Sequence, residues 1–118
     1  WTQLFDSVDH SSKILAEKMS EYQHLVDYVV LDPNHEHGQP LHTNTLASHL
    51  KAMAKRNLHM GLAITGRLGP FTMSSVASLA KEFPNLSIDE TNSLKNKNGN
   101  LKVFSASSYL KEVTDIFQ

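Results

Sequence analysis

The sequence predicts an α/β fold of parallel βα units in the order α-β-α-β-α-β-α. Three observations predict it. Apolar residues switch repeatedly between helical spacing and short β-branched runs. The strand-like runs are separated by helix-length stretches, which parallel crossovers require and hairpins do not. The composition of the 118 residues, 40% hydrophobic and 19% charged, is that of an ordinary globular domain with a modest core.

The first helix is expected from Asp9 to about His24, with Ile14, Leu15, Met19, Tyr22 and Val26 on its apolar side. Asp27 to Asp32 is a short buried strand halted by Pro33, and a polar loop with Gly38 and Pro40 runs from Asn34 to His42. Thr43 or Asn44 would cap a second helix carrying Leu46, Leu50, Met53 and Leu58. Met60 to Thr65 is the second strand, and Gly66-Arg67-Leu68-Gly69-Pro70 turns the chain. Thr72 would cap a third helix with a Met73, Val76, Ala77, Ala80 and Phe83 stripe, ended by Pro84 and Asn85. Leu86 to Asp89 is a brief third strand, and Asn92 to Asn100 is expected to be a mobile polar loop. Ser105 would cap the last helix, turning Tyr109, Leu110, Val113, Ile116 and Phe117 inward.

Such alternation favours right-handed βαβ units in a single domain spanning residues 1–118. A three-stranded parallel sheet leaves two open edges, and a complete (β/α)₈ barrel needs about 250 residues, so the chain reads as a partial barrel segment. It does not open on Met, which reads as a piece of something longer or a processed product.

The charge balance, 11 basic against 12 acidic residues, gives no excess for a nucleic-acid partner. There is no cysteine, which removes disulfides, thiolate metal sites and cysteine nucleophiles, and fits a reducing, cytoplasmic setting. No apolar stretch approaches the roughly 20 residues of a membrane helix, so no membrane partner is expected.

Chemistry in a parallel α/β fold gathers where strands end, which selects the loops after Asp32, around Gly66 to Gly69, and after Asp89. A carboxylate at a strand mouth suits Asp32 to general acid work; capping the turn at Pro33 is the alternative. Gly66 and Gly69 would let backbone N–H groups approach an anion, with Arg67 adding a charge-assisted contact. The same glycines equally suit a tight turn. His35, Glu36, His37 and His42 form a loop cluster of metal-ligand types without a metal spacing signature, so no metal or other cofactor is expected. Lys95, Lys97 and Lys102 read as solvated lysines.

The stretches "VDYVVLDPNHEHGQPLHTNTL", "LAITGRLGPFTMSSV" and "LSIDETNSL", with the closing "SYLKEVTDIF", resemble the last three βα units of phosphoribosylanthranilate isomerases and their uncharacterised relatives. The resemblance covers about Val26 to Phe117. It implies a TIM-type barrel, an aldose–ketose isomerisation of a phosphorylated sugar derivative, Asp32 as general acid, and Gly66, Leu68 and Gly69 at the phosphate. The loop after the last strand, around Asp89 to Asn92 and including Thr91, would complete the phosphate site. Two departures accompany it. The family's general base is a cysteine at the end of the first barrel strand, and this chain has none. After the last strand stand Asp89 and Glu90 in place of small residues, and carboxylates there repel a phosphate. Implied partners are a phosphorylated sugar-like molecule and either the missing barrel strands or a second copy. The chain alone is expected to be inactive, the alternative being a non-catalytic binding or assembly module.

Overall fold

The computed structural model describes residues 11–32, 42–69 and 72–118. They form a mixed α/β fold with a three-stranded parallel sheet and four α-helices. Helix α1 is Ser12–Tyr22, strand β1 Tyr28–Leu31, α2 Thr43–Lys55 and β2 Gly61–Thr65; a 3₁₀ turn at Met73–Val76 leads into α3, Ala77–Glu82, then β3, Ser87–Asp89, and α4, Val103–Phe117.

The sheet order β1-β2-β3 follows the chain, and both pairings are parallel. Val29 lies beside Leu62, and Leu31 beside Ile64, which lies beside Ile88. Because side chains alternate along a strand, these five residues share one face. That face joins a single core with Leu15 and Met19 of α1, Leu46, Leu50 and Met53 of α2, Met73, Val76 and Leu79 around α3, and Tyr109 of α4. Tyr28, Val30, Ala63 and Ser87 occupy the opposite face, outside that core. There the Tyr28 ring lies across the backbone of Gly61, its register partner; a Cβ at Gly61 would fall 2.2 Å from Cε1 of that ring. Among the described residues the outer edges of β1 and β3 have no strand partner.

The helices are also tied at their surfaces. Arg56, just past α2, pairs with Glu17 of α1 at 2.8 Å, and Lys51 of α2 pairs with Glu82 of α3 at 3.1 Å. Both pairs are solvated, so they orient the helices more than they stabilise them.

Several local expectations are corrected. Helix α1 is capped by Ser11, whose Oγ accepts from the Ile14 N–H at 3.4 Å, and it stops at Tyr22. Its buried side is Leu15, Ala16 and Met19; Ile14, Tyr22 and Val26 are exposed, because the early stop takes Val26 off the helical stripe. Neither Thr43 nor Asn44 caps α2: His42 holds that position without a side-chain bond, and Asn44 is already helical. Asn57, in the left-handed region at φ 50°, ends that helix, leaving Leu58 beyond it but still against the core. The third helix opens as a 3₁₀ turn, and α3 proper has six residues. The last helix begins at Val103, so Ser105 lies in its first turn and is not a cap. Leu110 and Phe117 face solvent, while Tyr109 is buried and Val113 and Ile116 pack on the core.

The polar stretch Asn92 to Asn100 is a hydrogen-bonded hairpin where a loose loop was expected. Lys95 bridges Leu101 in antiparallel fashion, and the Asn96 Oδ1 accepts from the N–H groups of Asn98 and Asn100 at 2.9 and 3.0 Å. Leu94 is buried beneath it.

A polar cleft at the carboxyl edge of the sheet as the candidate functional site

Parallel strands bring all their carboxyl ends to one edge. Thr65 pairs with Asp89 there, and Asp32 follows Leu31, the partner of Ile64, so Asp32, Thr65 and Asp89 stand level across the edge. Asp32 is half-buried. The expected loop cluster His35, Glu36 and His37 lies outside the described residues, as does Pro33; His42 is exposed. Among the described residues no group of three metal-ligating side chains comes together.

The loop after β2 is built by backbone conformation. Gly66 and Arg67 both have positive φ, 118° and 52°. Glycine adopts this region freely, whereas for an arginine it costs about 1–2 kcal/mol. The turn directs Leu68 into the core, fully buried, and leaves the Arg67 side chain exposed. Thr72 then closes the loop from within. Its hydroxyl donates to the carbonyls of Arg67 and Gly69, and its N–H donates to the Gly69 carbonyl at 2.9 Å. Thr72 does hold the N-cap position of the 3₁₀ turn, as expected, but its side chain makes no capping bond there.

Gly69 is required for close approach. A Cβ there would lie 2.7 Å from Ser93 Oγ and 2.9 Å from Ser93 Cβ, so the loops after β2 and β3 touch at this point. The β3 loop is fixed by Glu90, whose Oε1 accepts from the Ser93 N–H at 2.8 Å. Among the described residues, Glu90 Oε2 and Ser93 Oγ are buried without hydrogen-bond partners. Under this loop lies Tyr109. Burial, and after it the charges of Glu90 and Asp89, push its hydroxyl pKa up from the ordinary tyrosine value.

Between the two loops and the start of α4 opens a cleft of ≈ 410 Å³ lined by Arg67, Gly69, Thr72, Asn92, Ser93, Lys102 and Ser105. Two cations therefore face several hydroxyl and amide groups. Asp89 and Glu90 do not line it, although Glu90 stands just behind it through its bond to Ser93. The cleft reaches the first turn of α4, where no side chain caps the backbone N–H groups. A smaller apolar cleft, ≈ 250 Å³, lies at the amino ends of β2 and β3 between Met60 and Leu86, away from these groups.

Of the residues singled out in the sequence, Arg67 and Gly69 line the cleft; Gly66 shapes the loop, Leu68 is core, and Thr91 and Asp32 lie outside the lining. Asn92 ends the Asp89–Asn92 loop expected at the phosphate, whereas Thr72, Ser93, Lys102 and Ser105 were not singled out as site residues. Asn92 and Ser93 had a signal, since they follow a strand end. Lys102 and Ser105 had none, because the 95–101 hairpin carries them back to the edge. Fold and cleft together define a parallel α/β domain with a cationic polar site at its carboxyl edge. Compared with known proteins, the chain matches no family model, no curated protein and no solved structure.

Proposed function

We propose that this chain is the C-terminal part of a phosphate-binding (β/α) barrel of phosphoribosylanthranilate isomerase-like lineage, whose cleft takes the phosphate of a phosphorylated sugar-like molecule. The observation that carries this reading is the convergence of Arg67 and Lys102 on a cleft at the carboxyl edge, beside the uncapped start of α4. Cations supply charge-assisted bonds to phosphate oxygens, and helix N-termini favour anions. The Thr72 hydrogen is already given to the loop carbonyls, so Thr72 shapes the site and Ser105 is the hydroxyl at the helix start. Asp32, level with Thr65 on the same edge, is the general acid of the completed barrel. The family's cysteine base is missing, so the chain by itself binds and does not isomerise.

The test is an amide NMR titration of the chain with inorganic phosphate and with ribose 5-phosphate. Saturable shifts at Arg67, Gly69, Ser93 and Lys102 are expected. Arg67→Gly should weaken binding by about 10- to 100-fold, the worth of a hydrogen bond to a charged group. The same change should raise unfolding stability by about 1 kcal/mol, since glycine relieves the positive φ. A dispersed spectrum in which none of these amides responds to either ligand sinks the proposal.

A second reading is a non-catalytic assembly module, favoured by the outer edges of β1 and β3, which have no strand partner among the described residues. Open edges pair readily with further strands.

A further inference from the structure

We propose that the hairpin from Lys95 to Leu101 and the first turn of α4 form a docking face for an anionic lipid surface. The inference is separate from the anion cleft: Lys102 lines that cleft as well, but the other side chains concerned lie outside it.

Charge segregates sharply here. From Thr91 to Lys111 the sequence holds four lysines and no Asp or Glu, in a chain whose net charge is -1. Three of them, Lys95, Lys97 and Lys102, share the hairpin and the helix start with three exposed apolar side chains. Phe104 is 83% exposed, Val103 73% and Leu101 59%. Exposed apolar side chains are individually ordinary, but three within four residues, in a stretch that carries one sign of charge, are not explained by a solvated surface.

The hairpin presents the patch in one shape. The Lys95–Leu101 bridge sets a cation directly opposite an apolar residue, and Asn96 ties the tip from inside through its two accepted hydrogen bonds. Leu94 anchors the base in the core. Little ordering is left to be lost on docking, which favours binding by a preformed face.

The chemistry of the patch selects the occupant. Leu101, Val103 and Phe104 line neither of the two clefts and stand exposed at the surface. Exposed apolar side chains in a lysine-bearing stretch match an interfacial segment, in which apolar side chains enter the acyl boundary and lysines meet anionic headgroups. An acidic protein partner would satisfy the charge, but it would need a recess for the apolar side chains. The face is a peripheral contact only, since among the described residues no helix is long and apolar enough to cross a membrane. It replaces the expectation that these lysines are merely solvated and that no membrane is involved.

The test is flotation of the whole chain with vesicles of mixed phosphatidylcholine and phosphatidylserine, against vesicles of phosphatidylcholine alone. Binding is expected to the mixed vesicles only, and to fall as salt rises. Lys95→Ser with Lys97→Ser should weaken it by about 30-fold, from about fivefold per lysine near an anionic surface. Phe104→Ser should weaken it by about 10- to 100-fold, the worth of burying a phenyl ring. All three positions are exposed, so circular dichroism should show the variants folded. Inorganic phosphate, compared with chloride at equal ionic strength, should leave binding intact, because Lys95 and Lys97 lie outside the cleft. Loss of binding with phosphate would assign the contact to the cleft and overturn the proposal. So would indifference to vesicle charge, absence of binding, or a dimer in solution that Phe104→Ser disperses.

Discussion

Tyr109 of α4 is buried near Glu90 and Asp89, at the end of β3. Burial and the carboxylates of Glu90 and Asp89 raise its pKa in the folded chain, so the fold favours the neutral phenol. The stabilisation this gives is fully present below the unfolded tyrosine pKa of about 10 and is lost as pH climbs through the higher folded value. Unfolding stability is therefore expected to fall in the alkaline range above about pH 10, and Tyr109→Phe should flatten that fall. Denaturant unfolding across the alkaline range checks this; parallel curves for both proteins would contradict it. At the same scale, the contact between Gly69 and Ser93 shows what spacing alone does not carry. Two glycines near a strand end fit an anion cradle or a turn equally well, and only the approach of a second loop shows that Gly69 is needed because Ser93 leaves no room for a Cβ.

Among the elements, the Asn92 to Asn100 hairpin departs furthest from what its composition indicates. Asn, Lys and Gly are turn and loop residues, so the stretch reads as unstructured. Its order comes from one side chain, Asn96, accepting two backbone N–H groups, with a bridge closing the base. Asn96→Ala should remove about 1–3 kcal/mol of local stability, from two hydrogen bonds of about 0.5–1.5 kcal/mol each. Amide exchange at Asn98 and Asn100 should accelerate while α2 and β2 keep their protection; unchanged exchange would show the turn is held otherwise. The helices were more legible. Leu46, Leu50 and Met53 repeat at helical spacing and are all buried, as expected. The caps were less so, because cap positions depend on where the chain leaves the core, and His42 and Lys102 have no side-chain signature of that role.

For the whole molecule, the three strands were readable because each is a short β-branched or apolar run between breakers, and their parallel order followed from the crossovers between them. The cleft was half readable. The loop containing Arg67 follows its strand directly in sequence, whereas Lys102 and Ser105 reach the edge only through the fold of the hairpin. The same architecture predicts a gradient of protection. Strand β2 is paired on both sides and β1 and β3 on one, so hydrogen exchange should be slowest in β2 and faster at both flanks. Equal protection of all three would show that the outer edges are covered in solution. On the face away from the helices, the Tyr28 ring fills the space that any side chain at Gly61 would need. Positions 28 and 61 are therefore coupled: any side chain introduced at Gly61 must first swing the Tyr28 ring off the sheet and into solvent.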